Sequence, residues 1–388
     1  MAPRYSEMVI AYLGLFSTSF IIAMLLWPFA AAVLTLPILA GLYHRHHRLR
    51  FTAAASAYLS VLYLLGLLSF TLYPMPDDPD VYCATHHLAP QLDPLRFVDD
   101  LQNGGLYGML QLLMNVAFFV PLGFIIGRWL HARWWGALFG GFAVSLLIET
   151  SQLSGFWGLY PCTYRQFDVN DLMTNTLGAL LGFAIAKLFG LWAPVAAAPD
   201  RMDVNHKPGA LHRTVTFIID MIFVAVIYMP FTMLAVFAFY RLARPLPNGD
   251  FQLFGALTMG VEWLNFIAPA VAAIAFLIFE LLVPLRNAGQ TWGGKFTHMS
   301  VETKPRHGAW RVAFYLVRTL VLGALVVMAL AGLIHGGPFG TWSLYGFAAL
   351  FVFALIVRRM PWDFLPGDKS ADGHVEYGSA TACEPEAA

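Results

Sequence analysis

Glu149 and Gln152 stand three residues apart, and Asp168, Asp171 and Asn175 follow at intervals of three and four. On a helix each of these sets falls on one face. Arg165 lies just before the second set, and Asn115 sits in an earlier apolar run, NVAFFVPLGF. Carboxylates, amides and an arginine in this pattern allow three kinds of chemistry. They can pair among themselves and hold helices together. They can hold a polar head group, with Arg165 on a phosphate or carboxylate and Asn115, Gln152 and Asn175 on its hydrogen-bonding groups. Or Glu149 can act as acid or base, with Asp168 and Asp171 on a divalent ion beside a lipid-linked phosphate. Asp-x-x-Asp is a weak metal signal and no Ser, Cys or His nucleophile accompanies it. No catalytic residue, metal ligand or cofactor is assigned on this basis.

The elements that must position these residues are membrane helices. The 388-residue chain is 59% hydrophobic and only 12% charged, against about 25% charged for a soluble domain. Its long apolar runs lack the alternation of barrel strands, so the fold class is all-α, a polytopic transmembrane bundle of about nine spans. The spans are read as Ile10–Leu42, Phe51–Tyr73, Met109–Leu130, one ending near Gln152, one from Asp168 to Trp192, Thr214–Tyr240, Phe254–Val283, Val312–Ile334 and Leu344–Val357. The first run holds Pro28 and Pro37 and exceeds a ~30 Å hydrocarbon core. It is either one tilted or kinked helix or a tight hairpin.

Basic loops at His44–Arg50, His131–Arg133, Arg286–Arg311 and Arg358–Arg359 belong on the cytoplasmic side. The loop Pro74–Gly108, with six aspartates and the single arginine Arg96, belongs outside. The amino terminus is then outside and the carboxyl terminus cytoplasmic; Arg241 and Arg244 fall outside, against the rule. An ionisable group in hydrocarbon costs roughly 2.5–3.5 kcal/mol by insertion scales, so the opening cluster must form a satisfied site, here in the outer leaflet. Cys83 and Cys162 are the cysteines in outside loops, while Cys383 is in the tail. In an oxidising exterior they are expected to pair as a disulfide that clips the acidic loop over the cluster. A zinc site with His86 and His87 lacks a recognised spacing. No nucleotide fingerprint appears, and no nucleic-acid partner is expected. The expected organisation is a five-span domain (1–192), a cytoplasmic linker (193–212), a four-span domain (213–365) and a disordered tail (366–388).

The set Asn115–Pro121–Leu122–Gly123, Glu149-x-x-Gln152 and Arg165-x-x-Asp168-x-x-Asp171-x-x-x-Asn175-x-x-Gly178 resembles the motifs of the VanZ-like family over roughly residues 50–190. That resemblance implies a bacterial membrane protein associated with sensitivity to teicoplanin-type glycopeptides. The second half, roughly residues 205–368, resembles the RDD family through Arg213, Asp220, Asp363 and the loop Gly289-Gln290-Thr291. Transport is the activity that resemblance suggests. Asp220 and Arg318 enter their spans from the same side to similar depth and are expected to form a buried pair. The alternative is proton- or cation-coupled transport using Asp220 and Glu262.

The reading is a multi-pass protein of the bacterial plasma membrane, not an enzyme. It engages a membrane lipid or lipid-linked cell-wall precursor at the site made by Asn115, Glu149, Gln152, Arg165, Asp168, Asp171 and Asn175. The alternatives are a coupled transporter and an enzyme acting on a lipid-linked phosphate. Oligomeric state is not legible.

Overall fold

The computed structural model describes residues 5–73, 75–103, 105–192, 204–247, 250–260 and 264–367. Among them nine helices are long and apolar enough to cross a membrane. The chain divides into two compact units, Met1–Thr35 with Phe51–Ala197, and Leu36–Arg50 with Ala198–Ala388.

In the first unit, α1 (Tyr5–His46) runs as one helix through both prolines rather than as a hairpin. Apolar surroundings tolerate an interior proline in a membrane helix when neighbours take up the freed backbone groups. α2 (Phe51–Leu72) is tied to its first-unit portion: Trp27 Nε1 donates to the Tyr58 carbonyl at 3.0 Å, and the Tyr58 hydroxyl to Thr35 Oγ1 at 3.0 Å. The acidic loop folds into two short helices, α3 (Pro79–Thr85) and α4 (Arg96–Asn103). Asp78 starts α3 by accepting from the Val81 amide at 3.2 Å, satisfying a donor the first turn leaves open.

The long helices α5 (Gly105–Arg128), α6 (Trp134–Leu153) and α8 (Val169–Trp192) enclose the core of Phe119, Leu122, Ile126 and Ile148 with Leu67 of α2. A single left-handed turn, α7 (Gly155–Gly158), reverses the chain after α6. α5 and α8 approach to backbone contact. A Cβ on Gly178 or Gly182 would collide with the carbonyls of Val116 or Val120, and one on Gly123 with that of Ala179. Small residues permit this approach, and it brings the polar ends of the two helices together.

Besides the end of α1, the second unit holds α9 (Ala210–Leu242). A small antiparallel meander follows, β1 (Ala243–Pro245), β2 (Phe251–Leu253) and β3 (Leu257–Met259), with Ala243 opposite Leu253 and Phe251 opposite Met259. The fold remains helical, with this one small sheet, but one expectation is corrected: the apolar run from Phe254 opens as a turn and strand rather than a span. Left-handed backbone at Phe254 and Gly255 makes a tight turn where composition alone suggested continuous helix. The span begins later: α10 (Leu264–Leu277) passes through one π turn, Ile278–Leu282, into α11 (Val283–Arg286).

α12 (Trp292–Thr297), α13 (Gly308–His335) and α14 (Phe339–Val357) complete the unit, closed by a 3₁₀ turn at Pro361–Phe364. Its core is Phe276, Met299, Phe314, Tyr315 and Trp362. The end of α1 packs here too, with Tyr43 stacked on His212 and His47 on His298. Asn205 already pairs with the chain at His298 and Ser300. The expected tail lies outside the described residues from 368 onward, as do 193–203 of the expected linker and Glu262.

Candidate functional site

In the first unit, the residues singled out in the sequence come together where α6 ends and α8 begins. Asp168 caps α8: its Oδ1 accepts from the Asn170 amide at 2.8 Å. The Asp168 amide in turn donates to Glu149 Oε2 at 3.0 Å, so a carboxylate only 2% exposed meets the positive end of a helix. One turn further on, Asp171 Oδ1 accepts from Asn115 Nδ2 of α5 at 2.6 Å. Deeper still, Asn175 Nδ2 donates to Ser145 Oγ of α6 at 2.9 Å, both buried. Gln152 Nε2 reaches the Thr71 carbonyl at the end of α2 at 2.7 Å. Arg165 Nη1 donates to that same carbonyl at 3.1 Å.

This ordering by depth has chemical content. The amides and acids inside the bundle are spent on one another and on backbone groups. Asp168 Oδ1 accepts at its cap and Asp171 Oδ1 from Asn115. Among the described residues no three His, Cys, Asp or Glu side chains form a metal-binding group. Arg165 is different. It is exposed and bonds only a neutral carbonyl; among the described ion pairs none includes it. Beside it the Tyr164 hydroxyl is buried with no protein partner. Burial raises that phenol's pKa above its ordinary value, and the Arg165 charge acts in the opposite direction.

The acidic loop is laced over this end of the bundle. Cys83 and Cys162 form a disulfide with Cα atoms 5.7 Å apart, 79 residues distant in sequence. Gln91 bridges the loop to the start of α8, donating its amide to the Phe167 carbonyl at 2.8 Å and accepting from Val169 at 3.1 Å. Gln166 Nε2 donates to the Ala89 carbonyl at 2.8 Å. Gln91, Ser145 and Asn170 were not signalled by spacing, because their partners come from the distant loop or from another helix.

The second unit uses charge differently. Arg213 Nη2 pairs with Asp363 Oδ2 at 3.1 Å, and Asp363 also accepts from the Met360 amide at 2.9 Å. Asp220, fully buried, accepts from Thr291 Oγ1 at 2.6 Å and from the Gly293 amide at 2.7 Å. A Cβ at position 293 would strike the Thr216 carbonyl at 2.6 Å, so only glycine lets this amide come so near the carboxylate. The pair expected between Asp220 and Arg318 does not form. Arg318 pairs instead with Glu280, which spacing did not single out. The π turn at Ile278–Leu282 lies at this contact, where the Glu280 carbonyl accepts from Arg318 Nη1 at 2.9 Å and from Thr319 Oγ1 at 3.3 Å. A third pair, Arg311 to Glu302 at 2.9 Å, fastens the loop before α13.

Compared with known proteins, residues 60–190 match the VanZ/LLP1 family and residues 207–366 match the RDD family, in that order along the chain. No curated protein and no solved structure matches it.

Proposed function

From a multi-pass membrane protein in which a VanZ-like region is followed by an RDD family region, we propose that the first unit binds the polar head group of a lipid or lipid-linked cell-wall precursor. The site is placed in the outer leaflet of a bacterial plasma membrane, with the carboxyl terminus cytoplasmic, and its occupancy alters sensitivity to teicoplanin-type glycopeptides. One observation carries this reading. Arg165 is the exposed cation at the rim of a buried polar set whose acids and amides bond one another and the backbone. A guanidinium so placed offers its remaining donors, in fork geometry, to a phosphate or carboxylate. The buried Tyr164 hydroxyl beside it adds a second donor.

Asp168 and Asp171 each use one oxygen on a different partner, which gives a shared divalent ion, and the phosphate-cleaving alternative with it, less support. Coupled transport through Asp220 has less support than head-group binding, since both carboxylate oxygens accept short hydrogen bonds.

Full-length protein in nanodiscs, titrated with a polyprenyl-pyrophosphate-linked muropeptide and read by native mass spectrometry, tests the proposal. Arg165→Gln is expected to lower occupancy about tenfold, the loss of one charge-assisted bond. Equal occupancy of wild type and variant overturns it.

A further inference from the structure

Two cavities in the second unit share a wall. The first, about 450 Å³, has a mainly apolar wall from α9, α13 and α14, with Phe217, Leu322 and Phe347, and the paired or hydrogen-bonded Arg213, Asp220 and Arg318 also border it. The second, about 690 Å³, adjoins it, with Ala210, Phe351 and Ala354 belonging to both. Both volumes are of the size of ligand sites, about 300–1,000 Å³. The second carries three cations, Lys207, Arg358 and Arg359, and no carboxylate.

Among the described residues none of these cations is in an ion pair. The ion pairs described in this unit, Arg213–Asp363, Arg311–Glu302 and Arg318–Glu280, include none of them. All three are exposed. Lys304, in the loop before α13, is held below its ordinary pKa by burial and then by Arg306 and Arg359, with Asp363 acting the other way. Arg358 sits in left-handed backbone, φ 60°, at the end of α14, a conformation uncommon for a residue with a Cβ. A slot that is apolar between spanning helices and cationic at their ends matches an amphiphile with an anionic head.

We infer that the two cavities together bind one anionic phospholipid of the bilayer. Its phosphate lies among Lys207, Arg358 and Arg359, and one acyl chain passes Phe351 into the cavity between α9, α13 and α14. Basic pockets at the ends of membrane helices select head groups in this way. The competing account gives the three cations only a topological role at the membrane surface. It predicts no preference among head groups and no particular path for an acyl chain.

The test uses full-length protein in phosphatidylcholine nanodiscs containing a trace of phosphatidylglycerol with a diazirine in its acyl chain. Adducts are mapped by mass spectrometry, and a phosphatidylcholine probe with the same chain is the control. The expected result is labelling at Phe351 and Met360, about tenfold stronger with the anionic probe. K207Q/R358Q/R359Q should abolish the preference, and K207R/R358K/R359K should keep it. If the triple variant fails to fold, the comparison of the two probes on wild type decides. Equal labelling by both probes, or labelling spread evenly over α9, α13 and α14, overturns the inference.

Discussion

The two units share one way of burying an acid and differ in where their arginines go. Asp220 of the second meets Thr291 and the Gly293 amide, much as Glu149 and Asp171 of the first meet N–H donors. In the first, acids meet amides and backbone N–H groups, and the one arginine of the set stays outside. Glu149 ends on the Asp168 amide, Asp171 on Asn115 and Asn175 on Ser145. In the second, Arg213 and Arg318 are buried with their acids, Asp363 and Glu280. A buried ion pair gains little over an apolar replacement, yet removing one partner is costly. Charges that are fully enclosed and paired hold helices in place; a charge at the rim of a satisfied set is free to meet a ligand. On the function proposed above, that difference divides scaffold from site.

The sharpest way to break this comparison is Arg318→Ala. It strands Glu280, whose Oε1 already lacks a partner, at a cost of ~3–5 kcal/mol. A large fall in melting temperature in detergent is expected, and R318M/E280L should recover most of it. If the single variant melts like wild type, the scaffold reading of the second unit fails.

Next is the disulfide. C83S/C162S removes a cross-link over 79 residues, worth ~2–4 kcal/mol in the chain-entropy account. The acidic loop should then be cut faster by protease at 74–104 while the core of α5, α6 and α8 persists. Unchanged cleavage would mean that the Gln91 bridge alone holds the loop.

Smaller effects belong to the neutral bonds of the first unit. Asn175→Leu leaves Ser145 without its buried partner and should cost ~1–3 kcal/mol. S145A/N175L should be milder than the sum of the singles, since the pair acts as one interaction. Simple additivity would show that the two side chains are independent.

What could be read from the chain follows from the same contrast. Spans declare themselves by composition, and i, i+3 and i, i+4 spacing places Glu149 with Gln152 and Asp168 with Asp171 on shared helix faces. Which group meets which is decided by packing that spacing does not encode. Glu280, inside the π turn, takes Arg318, while Asp220 of α9 is held by other donors. Asp220 itself is satisfied by Thr291 and Gly293, from a loop 71–73 residues away. The run from Phe254 has the composition of a span but turns at Gly255. Thr71, an unremarkable residue by type, matters through its carbonyl, which receives both Gln152 and Arg165.

The most direct measurement is glycopeptide susceptibility in a bacterial host expressing wild type, Arg165→Gln or R318M/E280L, at matched membrane levels and known melting temperatures. Arg165 is exposed, so its loss should change stability by no more than ~1 kcal/mol. The account predicts that Arg165→Gln abolishes the shift in teicoplanin-type susceptibility while melting as wild type does, and that R318M/E280L retains the shift. An Arg165→Gln protein that confers the full wild-type shift would contradict it.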